Sequence, residues 1–137
     1  MNNQNLIKKI LENTKTIVVV GLSDKQDRPS YEVASYLKDH GYTIIPVNPM
    51  ISVWNGLKCY PDLLSVPRDI KIDVVDIFRK PEFIPEIVDQ AIKIGVKVIW
   101  MQEGIVNEEA KQTAKRASLA VVMNRCMMKE HKKLNSF

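Results

Sequence analysis

The 137-residue sequence predicts a single α/β domain spanning residues 1–137, with a parallel five-stranded sheet covered by helices on both faces. Three observations predict it. Short β-branched runs alternate with amphipathic helical stretches along the chain. The strand runs are nearly continuous in apolar residues, the pattern of strands buried on both faces. No repeat, low-complexity tract or shift in composition marks a second domain. Together these describe a doubly wound, Rossmann-like architecture.

The elements follow in order. Leu6, Ile7, Ile10 and Leu11 form a short helical stripe. Thr16–Val20 reads as a buried strand stopped by Gly21. Ser30–His40 is helical, with Val33, Ala34 and Leu37 on one face and Gly41 as its stop. Tyr42–Val47 is the second strand and Ile72–Phe78 the third; the third carries Asp73 and Asp76, of which Asp76 is expected to point inward in a structural role. Glu82–Ile94 is the clearest helix, because Phe83, Ile84, Ile87, Val88, Ala91 and Ile92 fall on one 3.6-residue stripe ended by Gly95. Lys97–Met101 is the fourth strand. Asn107 caps a helix to about Ser118, with Glu108 and Glu109 suited to its first turn. Leu119–Met123 is the fifth strand, and Met127–Leu134 a final short helix. Met50–Ile70, with Trp54, Gly56, Pro61 and Pro67, reads as a surface excursion holding at most one short edge strand.

Composition removes several classes. With 45% hydrophobic and 26% charged residues the chain is neither disordered nor collagen-like. Apolar runs such as Ile17–Val20 and Val98–Met101 fall far short of the ~20 residues of a membrane helix. The start Met1–Lys9 lacks a basic segment followed by an apolar stretch, so no secretory leader is expected. Cys59 and Cys126 form no CxxC and no disulfide framework, which makes a reducing cytoplasm the expected compartment. His40 and His131 stand in no ligand spacing, so no metal site is expected. The net charge of +4 is uneven: residues 1–110 hold 13 Lys/Arg against 15 Asp/Glu, and residues 111–137 hold seven against one. That basic end suits either an anionic ligand or a solvated helix face.

In such folds ligands bind outside the carboxyl ends of the strands. The first strand is followed by Gly21–Ser30, which opens a helix whose free N–H groups favour an anion. Gly21 allows close backbone approach, Ser23 and Ser30 carry hydroxyls, and Arg28 can grip a phosphate with two parallel bonds. The alternative is a plain turn, where glycine and serine are common. The loop is neither G-x-G-x-x-G nor a P-loop. The second strand ends in Pro46-Val47-Asn48-Pro49, where NAD binding calls for a carboxylate. Arg79 and Lys80 after the third strand and Arg125 after the fifth join Arg28 as cations at ligand-end positions. Gln102 and Glu103 suit either a ligand amide or an exposed turn, and no second carboxylate or histidine stands near Glu103 for acid–base work. Cys126 opens the last helix, where a thiol can become reactive, or simply packs. Met101, Met123, Met127 and Met128 read as core or rim filler.

These residues form a pattern. Val19-Val20-Gly21-Leu22-Ser23 with Arg28-Pro29-Ser30, then Ile45–Pro49, Asp73–Arg79, Trp100–Gly104 with Asn107–Ala110, and Val121–Cys126 resemble the stand-alone CoA-binding domain family over residues 10–134. That family is similar in fold to the N-terminal domain of the succinyl-CoA synthetase α subunit. The resemblance implies coenzyme A or an acyl-CoA at the strand ends. By it, Gly21, Leu22, Ser23, Arg28, Pro29 and Ser30 cradle the phosphates, Pro46, Val47 and Asn48 flank the nucleotide end, Phe78 and Arg79 line the middle, and Gln102 and Glu103 lie toward the pantetheine arm. Ligase activity is not implied, and the strand-end cations with the missing NAD carboxylate favour a cytoplasmic binder with no catalytic residue of its own.

Partners beyond the small-molecule ligand stay open between a homodimer, with Trp54 as a candidate exposed contact, and an acyl-CoA enzyme; neither nucleic acid nor membrane is expected. The competing enzyme reading is an oxidoreductase, either NAD(P)-dependent, with Arg28 or Arg79 on a 2′-phosphate, or thiol-based through Cys126. A nucleic-acid module is suggested by the pI of about 9.1 and the basic C-terminal end, but the strands lack interleaved exposed aromatics and no DNA-reading motif is visible.

Overall fold

The computed structural model describes residues 3–135, over which the apolar runs become strands and the amphipathic stretches become helices. In chain order these are α1 (Asn3–Asn13), β1 (Thr16–Val20), α2 (Pro29–Asp39), β2 (Thr43–Val47), β3 (Val53–Trp54), β4 (Leu57–Lys58), β5 (Val74–Ile77), α3 (Ile84–Ile94), β6 (Val98–Met101), α4 (Glu108–Arg116), β7 (Ala120–Met123) and α5 (Met127–Leu134). The main sheet has the order β2-β1-β5-β6-β7, and every pairing in it is parallel. The Rossmann-like doubly wound architecture is therefore present. No helix among the described residues is long and apolar enough to cross a membrane.

The strands are apolar throughout because both faces are covered. Val18, Val20, Val75 and Ile77 pack against α3 and α4, while Ile17, Val19, Val74 and Trp100 pack against α1, α2 and α5. The helix ends follow local chemistry. Pro29 begins α2, where its missing N–H costs no intrahelical bond. Gly95 ends α3 at φ 78°, and the side chain of Asn107 accepts from the Ala110 N–H to cap α4. A short 3-10 turn, Pro81–Phe83, takes up the first residues of the expected Glu82–Ile94 helix.

The two aspartates of the third parallel strand have opposite fates. Asp73 lies just before β5, and its Oδ2 accepts the backbone N–H groups of Lys15 and Thr16, pinning the entry to β1. Asp76 sits mid-strand, fully buried between Val19 and Trp100, and neither carboxyl oxygen meets a hydrogen-bond donor. It is inward, as expected.

The excursion over Met50–Ile70 differs from its sequence reading. At the edge of the main sheet it makes a single parallel bridge, Tyr60 beside Val47, rather than a strand. It forms a separate antiparallel ribbon, β3 with β4, turned by Asn55 (φ 48°) and Gly56 (φ 76°). Two positive φ angles at Asn-Gly are what a two-residue hairpin requires. Trp54 is 1% exposed, so it is no exposed dimer contact: its ring lies in the core beside Tyr31.

Candidate functional site

The strand order reverses between β1 and β5. The chain runs outward from β1 to β2, returns across β1 to β5, and continues to β6 and β7. Backbone leaving β1 and β5 diverges there and opens a crevice. Gly21 stands at its base with φ 86°, donating its N–H to Val47 O at 2.9 Å. A Cβ at this position would lie 2.7 Å from the Phe78 carbonyl oxygen. The two loops approach so closely that only glycine fits.

On the α2–α5 side of the crevice is a cavity of about 710 Å³. One wall is the loop after β1 and the first turn of α2. Ser30 is buried and its Oγ accepts from the Ser23 N–H at 3.0 Å, while the Ser23 Oγ accepts from the Lys25 N–H. Lys25 and Arg28 bring positive charge, and Asp27 and Glu32 bring negative charge to the same wall. Arg28 is the residue before α2 and makes no capping bond with its side chain; Pro29 has no N–H and the Tyr31 and Glu32 N–H groups donate to Arg28 O, which leaves the Ser30 N–H of the first turn for a ligand.

The opposite wall comes from the loops after β6 and β7 and the start of α5. Gln102 is buried, and its Oε1 accepts the Met127 N–H at 3.0 Å, capping α5. Trp100 Nε1 donates to Arg125 O at 2.8 Å, and Asn124 Oδ1 accepts the Gly104 N–H at 2.7 Å. Glu103 pairs with Lys129 at 2.8 Å, and this hydrogen bond and charge hold the Lys129 ammonium above its usual pKa. Cys126 and Met128 also line this wall.

A second cavity, about 230 Å³, opens on the α3 side. Val47, Pro49, Pro61 and Leu63 make it largely apolar. Arg79 enters it with its guanidinium stacked 4.2 Å above the Phe83 ring. Gly21 lines both cavities.

The expected residues fall into three groups. Gly21, Ser23, Arg28, Pro29, Ser30, Phe78, Gln102 and Glu103 line the larger cavity. Val47 and Arg79 line the smaller one. Leu22, Pro46 and Asn48 line neither. The Leu22 side chain is fully buried in the core, and Pro46 is a buried residue within β2. Asn48 holds the loops together: its Nδ2 donates to Leu22 O at 2.9 Å and its Oδ1 accepts the Met50 N–H at 2.8 Å. Of the four strand-end cations, Arg28 and Arg79 reach a cavity; Lys80 and Arg125 do not. Arg125 donates to the carbonyl of Asn124 instead. Lys25 and Lys129 also line the larger cavity without any local pattern that marks them, although Lys129 belongs to the basic C-terminal run.

No histidine serves Cys126. His131 Nδ1 bonds the Tyr36 hydroxyl at 2.8 Å, and burial and the neighbouring His40 hold the His131 pKa below its usual value. Cys59 is buried away from both cavities, and burial raises its thiol pKa.

A family model described as a CoA binding domain matches residues 15–132. The chain is similar to the uncharacterized protein YneT of Bacillus subtilis (strain 168), 42% identical over 125 residues and covering 91% of each chain. A solved hypothetical protein from Pyrococcus horikoshii OT3 superposes with a TM-score of 0.93 at 46% identity, covering 98% of this chain and 93% of that one. An ADP-forming acetate–CoA ligase of Methanocaldococcus jannaschii is 27% identical over 139 residues; the match takes in 93% of this chain and 19% of the ligase.

Proposed function

Because this chain belongs to the CoA-binding domain family, we propose that it binds coenzyme A or an acyl-CoA across the carboxyl ends of its strands, without a catalytic step of its own. The observation that carries this reading is that Gly21, at the base of the crevice, lines two cavities of different chemistry. Coenzyme A has the matching parts: a flat adenine, a central run of phosphates and a long, mostly apolar arm ending in a thiol. The smaller cavity, with the Arg79–Phe83 stack and the proline walls, suits the adenine. The backbone at Gly21, the Ser23 and Ser30 hydroxyls, Arg28 and the start of α2 suit the phosphates. The channel past Phe78 toward Gln102, Glu103 and Cys126 suits the pantetheine arm. Asn48 stands where a dinucleotide site would place a ribose-gripping carboxylate, and both ends of its amide are engaged with backbone.

Thermal melting of the reduced protein with CoA, acetyl-CoA, NAD and NADP tests the reading. CoA at 100 times its Kd is expected to stabilise the fold by about 2.7 kcal/mol, with no comparable shift from NAD or NADP. A shift with NADP and none with CoA would move the protein to the oxidoreductase class.

Alkylation of Cys126 tests where the ligand lies. Saturating CoA is expected to slow the reaction of Cys126 with iodoacetamide about tenfold or more, because the thiol lines the cavity assigned to the pantetheine arm. Cys59 lies outside both cavities and serves as the internal reference. Rapid alkylation that CoA leaves unchanged would favour the thiol-based reading instead.

A further inference from the structure

We propose that the β3–β4 hairpin is the positioning element of the ligand loop, with Trp54 as its positioning residue. The proposal rests on the CoA reading above and deepens it. Two consecutive carbonyls of the loop after β1 are held by side chains that line neither cavity. Leu22 O accepts from Asn48 Nδ2 at 2.9 Å, and Ser23 O accepts from Trp54 Nε1 at 3.1 Å. A planar peptide with one end held has its other end fixed as well. These two bonds therefore set the planes of the Leu22–Ser23 and Ser23–Asp24 peptides at the start of the loop.

Trp54 also reaches the other side of the phosphate cradle. Its ring meets the Tyr31 ring edge-on, with centroids 5.4 Å apart, and the Tyr31 hydroxyl donates to Asn55 Oδ1 at 3.0 Å. Tyr31 lies in the first turn of α2. The hairpin thus holds the loop and the helix start at a fixed separation.

The hairpin itself is anchored to the sheet. Cys59 N–H donates to Ser52 O at 2.9 Å and closes its base. Tyr60 N–H donates to Pro46 O at 3.0 Å, and Asn48 N–H donates to Tyr60 O at 2.9 Å, which ties the returning chain to the edge of β2. A rigid path therefore runs from β2 through the ribbon to Ser23. Anion sites lose affinity when their donors drift by fractions of an ångström, so a braced loop binds more tightly than a free one.

Two variants test this. Trp54→Phe keeps an aromatic ring in the core and removes the N–H to Ser23 O. Asn55→Gly keeps the positive φ of the turn and removes the surface bond to Tyr31; it decides the question alone if the first variant does not fold. Calorimetric titration with CoA is expected to give Trp54→Phe a Kd about tenfold higher than the parent, the equivalent of one lost hydrogen bond, and Asn55→Gly about threefold higher. Amide hydrogen exchange of the ligand-free Trp54→Phe protein is expected to lose protection at residues 22–31 only.

Unchanged CoA affinity in the variants, with the parent binding, would overturn the positioning role. So would a loss of protection spread over the whole sheet, which marks an ordinary core residue. Absence of CoA binding by the parent protein would instead remove the CoA reading itself.

Discussion

Gly21→Ala is expected to lower stability by about 2–4 kcal/mol and CoA affinity at least tenfold, two losses with one cause. The residue is at φ 86°, where an L side chain costs roughly 1–2 kcal/mol. The added methyl would also lie 2.7 Å from Phe78 O and 3.1 Å from both Phe78 C and Arg79 Cδ. The first two of these neighbours are backbone. Phe78 cannot retreat freely, because its N–H is bonded to Val20 O at 2.9 Å at the end of the β1–β5 ladder. Relief therefore comes from spreading the strand ends at the crevice, which separates the loops that the ligand must touch together. A stability loss of this size lowers the melting temperature by about 10 °C. Melting and CoA titration of the purified variant check both halves. A Gly21→Ala protein with parental melting temperature and parental affinity would show that the close crossing is unnecessary.

The crossing at Gly21 illustrates what the sequence makes visible. Gly21 follows an apolar run and precedes a helix, so its place at a strand end is local information. The same holds for the α3 stripe ended by Gly95 and for the Asn107 cap. A parallel sheet with its ligand at the carboxyl ends follows from five buried strands joined by helices, whereas the strand order, and with it the place of the crevice, is set by pairings between residues far apart in the chain.

What stayed hidden depends on distant partners. Trp54 finds Ser23 across 31 residues, and Asn48 finds Leu22 across 26. No pattern near either residue names those carbonyls, so an indole in an irregular stretch reads as surface. The Asn55-Gly56 turn signal is local, but strands of only two residues on either side give it no alternating pattern to join. Leu22 read as loop because it follows the glycine, yet burial of its side chain is what turns the loop back over the sheet. Lys129 comes to the cavity only because α5 starts at the end of β7 and its first turn faces Glu103.

Asp76→Asn is expected to stabilise the protein in a pH-dependent way. The Asp76 carboxyl is fully buried on the central strand β5, and neither oxygen has a hydrogen-bond donor. Burial pushes its pKa well above the usual carboxylate range. In the unfolded chain the same group ionises near pH 4. Between these values the native state holds a proton that the unfolded state has released, so stability falls as pH rises. The contribution of Asp76 is most favourable in acid, below the unfolded pKa, and is lost as pH climbs through the native one. Asparagine has nearly the same shape and does not ionise. At pH 4 the variant and the parent are therefore expected to melt together. At pH 8 the variant is expected to be the more stable, the gap widening by up to about 1.4 kcal/mol for each pH unit over which the native carboxyl keeps a proton that the unfolded chain has released. The difference between the two melting curves, followed from pH 4 to pH 8, isolates this residue, because every other titrating group is common to both proteins. A gain that does not grow with pH, or a loss of stability at pH 8, would mean that the ionised carboxylate is satisfied in the folded protein.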